Sequence, residues 1–123
     1  MSKLFPDYTP AWETEDHRLL REHAGTFLAK EATPHQEAWA EQHHVDRDFW
    51  RKAGAAGLLC LDVEEQYGGG GGNFGHEAVV AHERSMAHDT AFGFEVHSTI
   101  VSHYVAAYAS EEQKRRWLPQ LAS

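Results

Sequence analysis

The sequence predicts an all-α fold, a bundle of about six helices. Three observations predict it. Apolar residues recur at helical spacing along most of the chain. Helix-start and helix-stop residues punctuate it. No long alternating apolar and polar run marks a strand, and no internal repeat is present.

Residues 1–13 contain Pro6 and Pro10 and show no period, so they read as an extended arm. Phe5, Tyr8 and Trp12 are the residues able to tack it onto the rest. The helical domain is 14–123. Its first helix begins near 14–16, with Glu13, Glu15 and Asp16 where the helix dipole favours negative charge. Leu20, Ala24, Phe27, Leu28 and Glu31 share one face. Thr33, Pro34 and Gln36 fit the N-cap, first helical position and capping-box partner of a second helix, 34–43, carrying Ala38 and Trp39.

Asp46 is placed to cap a third helix, 47–56, with Phe49, Trp50, Ala53 and Ala56 inward and Gly57 as its C-terminal cap. Leu58, Leu59, Cys60 and Leu61 form a short apolar run. It is too short and lacks a partner strand, so it reads as buried loop. Five consecutive glycines, 68–72, then read as a flexible turn ahead of a helix. That fourth helix, 74–87, has Phe74, Ala78, Ala81 and Ser85 on one ridge, with Val79, Val80 and Met86 near it. The fifth, 90–108, is apolar nearly all round and predicts a central helix buried on several sides. Ser110 and Gln113 form a capping box for a short basic helix that Pro119 is expected to disrupt or redirect.

Composition narrows the function. The chain has 123 residues, one domain at most, and 41% hydrophobic residues to build a core. Its net charge of -8 argues against nucleic-acid or anionic-membrane partners, which need a basic surface. One cysteine, Cys60, forms no internal disulfide, and its apolar setting suggests a buried small hydrophobe. The first residues lack the apolar run of a signal peptide, and no stretch reaches the roughly 18 apolar residues of a membrane span. A cytoplasmic location is the expectation.

Ten histidines raise the question of a metal site. Two ligands on one helix face need a spacing of three or four, and no histidine pair has it. The recurring spacing is six, as in His76/His82 and His97/His103, which turns side chains about 120 degrees apart. One Glu-x-x-His, Glu41 and His44, is present where a carboxylate-bridged bundle wants two. No metal site is expected. The glycine run lacks the Lys-Ser/Thr of a phosphate loop and the βαβ setting of a dinucleotide fingerprint. No serine sits in a nucleophile elbow. The pairs Glu64/Glu65 and Glu111/Glu112 read as solvated turns and caps, and the basic run 114–116 as a solvated helix face. Composition and spacing alone yield a helical domain without a catalytic centre.

Three segments resemble, in family order, the N-terminal helical domain of the acyl-CoA dehydrogenases. They are GAAGLLCLDVEEQYGGGGG, AVVAHERSMAHDTAFGFEVHSTIV and SEEQKRRWLPQLAS. The resemblance covers nearly all of the chain from Glu15 onward, and the VHSTIV and SEEQK wording leans towards the long-chain-like members. Two positions depart from the family pattern. Glu64 stands where proline is usual, which suggests a looser loop into Tyr67 and Gly68. Ala109 stands where glycine usually precedes the capping residue, which suggests a different end to the fifth helix.

The resemblance implies a flavin (FAD) dehydrogenase of fatty acyl-CoA thioesters. In the family a glutamate removes the pro-R α-proton, the flavin takes a β-hydride, and a trans-2-enoyl-CoA results. Electrons then pass to an electron-transfer flavoprotein, and the complete enzyme is a homo-oligomer. The family's flavin-contacting run lies in a β-domain, and its catalytic glutamate in a C-terminal helical domain. Both are expected beyond Ser123, so no catalytic or cofactor-binding residue is carried over to this chain. What the resemblance implies for this domain is one wall of the acyl-chain pocket, at Ser102, Val105 and Ala106, and no activity in isolation. The alternative is a free-standing helical module that docks a partner through its apolar central helix.

Overall fold

The structure, a computed structural model, describes residues 8–123. Phe5 and Pro6 of the expected arm lie outside the described residues. Trp12 does anchor the chain, its ring edge-on to His17 at 5.4 Å. All regular structure among the described residues is helical.

Helix α1 (Glu15–Glu31) starts from Thr14 in a capping box with His17, carries Glu15 and Asp16 in its first turn, and has Lys30 in its last. Ala24 and Leu28 are fully buried along its inner face. The expected cap at Thr33 is corrected. Thr33 lies in a 3-10 turn, Thr33–His35, and its hydroxyl donates back to the Leu28 carbonyl at 3.3 Å. Gln36 likewise donates to the Ala32 carbonyl at 3.3 Å. Both side chains add a second bond to carbonyls at the end of α1 that already accept from Ala32 and His35 N–H, so neither side chain caps the next helix. That helix, α2 (Gln36–Gln42), buries Trp39 and stops at His43, whose φ of 60° is left-handed.

Asp46 occupies the N-cap position of α3 (Arg47–Ala55), but its carboxylate serves α2 instead. It accepts from Trp39 Nε1 at 3.1 Å and Gln42 Nε2 at 2.8 Å, tying the two helices together. At the other end Gly57 takes the left-handed conformation, φ 71°, as expected. Leu58 N–H bonds the Ala53 carbonyl and Gly57 N–H the Gly54 carbonyl, the two bonds of a Schellman cap. The chain then drops Leu58, Leu59, Cys60 and Leu61 into the interior as a buried loop.

The glycine run is not the loose turn expected. Gly69, Gly70, Gly71 and Gly72 donate their N–H groups to the carbonyls of Glu64, Cys60, Val63 and Leu61. A Cβ on Gly69 would lie 2.2 Å from the Val63 carbonyl oxygen, and one on Gly70 2.7 Å from that of Leu61. The glycines are there because two backbone segments lie against each other. The Glu64 departure does not loosen this loop: Glu64 takes φ -58° and ψ 142°, a conformation proline shares.

α4 (Phe74–Met86) is capped by Asn73 in a second capping box, with His76. The ridge expected from Phe74 is corrected, since Phe74 is 61% exposed and the buried residues are Glu77, Val79 and Val80. α1 covers the face of α4 that carries Asn73, Val80 and Glu83. His17 Nε2 lies 3.3 Å from Asn73 Oδ1, and Arg21 pairs with Glu83 at 2.6 Å.

The last long helix begins as a π-helical segment, Glu95–Val101, and continues as α5 (Ser102–Tyr108). α5 ends at Ala109, in extended conformation, so this end needs no left-handed glycine. Ser110 and Gln113 form the expected capping box of α6 (Glu111–Leu121). Pro119 sits inside that helix without ending it, a correction. So near the C-terminus the ring removes one hydrogen bond and the final turn still closes, Ala122 N–H reaching the Leu118 carbonyl at 3.1 Å.

The main core joins α1, α2, α3, the 58–61 loop, Val80, Phe92 and Phe94. A run of edge-on aromatic contacts threads it: Trp39 to Phe49, Phe49 to Phe92 and Trp50 to Phe92, each at 4.9 Å between centroids. A second, smaller core joins Cys60, Val63, Tyr67 and Leu118, with Val105, Ala106, Leu121 and Ala122 against it.

Candidate functional site

The site is built on the helix from Phe94 to the end of α5, and its two faces are opposite in character. The inner face carries Phe94, Ser98 and Ser102, spaced by one turn, and all are fully buried. The outer face carries the large apolar side chains. Val96 is 61% exposed, Ile100 49%, Val101 40%, Tyr104 65% and Tyr108 82%. The expectation of a helix buried on several sides is therefore corrected. Its large apolar stripe faces away from the rest of the described chain.

Two features hold it so. Ser102 N–H bonds the His97 carbonyl, a π-type step that turns the subsequent residues relative to a uniform α-helix. Small serines inside let the 58–63 loop approach. Ser98 Oγ accepts from Cys60 N–H at 3.1 Å, and Ser102 Oγ donates to the Ser98 carbonyl. Cys60 itself is left-handed, φ 52°. His97 Nε2 lies 2.7 Å from the Leu121 carbonyl and fastens the helix to α6.

The three residues expected at the pocket wall fall together on this helix. Ser102 is fully buried, with its hydroxyl engaged as above. Val105 and Ala106 are half-buried and pack on the smaller core.

Behind the helix lies a polar cluster that composition and spacing did not reveal. Glu77 of α4 is fully buried. Its Oε1 accepts from Asp62 N–H at 3.4 Å, and Asp62 Oδ2 lies 2.7 Å from His103 Nε2 on α5. Burial, with the Asp62 carboxyl beside it, pushes the Glu77 carboxyl up to about 8. Burial and the Glu77 charge push the Cys60 thiol up to about 11, which makes it an inert core group, as expected. The signal that could have found Glu77 was weak. It lies three positions before Val80, on the same side of α4.

A flavin's phosphates need free N–H donors, and the glycine run has none to offer. The N–H groups of Gly68 through Gly72 are all engaged with protein carbonyls. At the starts of α4 and α6 the Asn73 and Ser110 side chains accept from Gly75 and Gln113 N–H. The glycine run does not fit a flavin cradle. Among the described residues no group of three His, Cys, Asp or Glu side chains is placed to hold a metal ion. No helix there is long and apolar enough to cross a membrane. The acidic pair Glu64/Glu65 is exposed, and Glu111 accepts from Tyr67 Oη at 2.8 Å while pairing with Arg115.

Residues 14–123 match the family model described as acyl-CoA dehydrogenase, N-terminal domain. The chain is 37% identical over 110 residues to the long-chain specific acyl-CoA dehydrogenase, mitochondrial, of Sus scrofa, covering 89% of this chain and 26% of that protein. A solved acyl-CoA dehydrogenase from Geobacillus kaustophilus superposes with a TM-score of 0.87 at 37% identity, over 93% of this chain and 30% of the other. An acyl-CoA dehydrogenase from Bacillus anthracis, solved in complex with FAD, superposes with a TM-score of 0.76 at 32% identity, over 94% and 20%. The chain thus spans about a quarter of the length of such relatives.

Proposed function

This chain belongs to the acyl-CoA dehydrogenase N-terminal domain family, and from that premise we propose that it supplies one wall of the acyl-chain pocket in a flavin-dependent dehydrogenase of fatty acyl-CoA thioesters. The observation that carries the reading is the uncovered apolar stripe of the α5 helix, a surface suited to hydrocarbon and to a covering domain. Ser102, Val105 and Ala106 are the proposed wall residues. Val105, half-buried, lies one turn past Val101 at the edge of the stripe and offers small apolar surface, while Ala106, packed on the smaller core, seats the helix that presents it. Ser102, its hydroxyl turned to the Ser98 carbonyl, fixes the helix path without presenting a free donor to an alkyl chain.

FAD, in the complete enzyme, would accept the hydride. No residue described here is assigned to hold it or to remove the substrate proton. The complete enzyme is proposed to take acyl-CoA as substrate, to pass electrons to an electron-transfer flavoprotein, to be a homo-oligomer, and to reside in the cytoplasm. The buried, free Cys60 is consistent with a reducing compartment. The test is dye reduction by the purified 123-residue chain supplied with FAD and acyl-CoA. No turnover above the protein-free rate is expected; sustained turnover overturns the assignment of catalysis to other segments.

The exposed stripe also favours a second reading, a free-standing module that docks a partner chain through α5. Sedimentation separates them. A monomer with a cooperative melt counts against a free interaction module; self-association through the stripe supports it.

A further inference from the structure

The polar cluster behind α5 holds two buried oxygens without partners, Glu77 Oε2 and Asp62 Oδ1. They belong to two adjacent carboxyl groups. Glu77 is fully buried and the Asp62 side chain is 11% exposed. Two ionised carboxylates side by side in that setting would repel, and each would keep an unsatisfied lone pair. A single proton removes both faults. It makes Glu77 neutral and gives it a donor for Asp62, while Asp62 keeps its charge for His103.

We infer that Glu77 is a protonated, neutral acid in the folded chain and hydrogen-bonds the Asp62 carboxylate, forming a proton-dependent latch that holds α5 on the 58–63 loop. Glu77 anchors it in α4, Asp62 lies in the loop, and His103 extends it to α5. The other titratable groups around it are otherwise engaged. Cys60 of the loop stays a neutral thiol. From α1, His17 meets Asn73, and Arg21 pairs with Glu13 and Glu83. On α4, His76 meets Asp16 and Arg84 pairs with Glu95. None of those contacts reaches the Glu77 carboxyl. The inference stands independently of the substrate reading.

Glu77 rises from an ordinary 4.5 to about 8 on folding. Between those values the folded chain holds a proton that the unfolded chain has released. Stability is therefore full below the lower value and falls as pH rises towards the upper one, by up to about tenfold in the folding equilibrium constant per pH unit. Above it, Glu77 and Asp62 are both charged and the latch opens.

The test compares denaturant melts of the 123-residue chain and Glu77→Gln across this range. The glutamine keeps a donor for Asp62 but cannot ionise. Relative to the variant, the wild type should lose stability from mildly acidic to mildly alkaline pH. Parallel profiles overturn the inference. Should the variant fail to fold, the wild type alone decides through the NMR titration of its carbon-13-labelled glutamate carboxyls. One buried glutamate titrating near 8 is expected; all glutamates titrating in the ordinary range is the contrary result.

Discussion

Replacing Gly69 by alanine should unfold the chain far more readily than the same change at Gly93. The added Cβ at Gly69 would meet the Val63 carbonyl oxygen at 2.2 Å and the Val63 carbonyl carbon at 2.5 Å. These include backbone atoms, so relief requires one chain segment to move. Forced overpacking costs about 1–3 kcal/mol. Movement also strains the bonds from Gly70, Gly71 and Gly72, at 3.1, 2.9 and 2.8 Å, each contributing about 0.5–1.5 kcal/mol net. A total loss of about 3 kcal/mol is expected, a large share of the roughly 5–15 kcal/mol of a domain. It should lower the Tm by roughly 10 °C. Gly93 is the control, since nothing lies within 4 Å of its added Cβ. There alanine should be neutral or stabilise by up to ~1 kcal/mol, by restricting the unfolded chain. The assay is a urea melt monitored by circular dichroism. A Gly69→Ala chain within about 0.5 kcal/mol of wild type would refute the packing account and restore the glycine run as a pliable turn.

Local geometry carries three further predictions. Glu64→Pro should stabilise by about 0.4–1 kcal/mol, because Glu64 holds φ -58° and its N–H donates no hydrogen bond among the described residues; a lowered urea midpoint would contradict it. His43→Gly should stabilise by up to about 1 kcal/mol by relieving a left-handed φ of 60° at an exposed helix end, read from the same melts. Leu118→Ala should cost about 2–5 kcal/mol, since Leu118 is fully buried at the centre of the smaller core. It should also weaken protection of α6 amides in hydrogen exchange.

Much of the fold was legible in the sequence because capping is local chemistry. Gly57 and the Ser110–Gln113 box act within one turn, and the residues around them suffice to reveal an end. The inner face of α1 was legible for a similar reason, an uninterrupted helical period. The orientation of the α5 helix was not. Its apolar residues mark a surface turned away from this chain, and a π-helical segment shifts the period by which faces are counted. Thr33 misled because its hydroxyl has two neighbours to satisfy, and the carbonyl behind it won. Glu77 escaped because an acid in a helix reads as solvated, and only the tertiary structure brings Asp62 beside it.

Photolabelling tests most directly whether α5 lines the acyl-chain pocket. An acyl-CoA with a diazirine on its alkyl chain would be photolysed on the FAD-loaded complete polypeptide, and the labelled peptides mapped. Label within residues 94–108, at or beside Val105 and Ala106 and competed away by unlabelled acyl-CoA, is the predicted result. Competable label confined to other segments, with 94–108 unmarked, would contradict it.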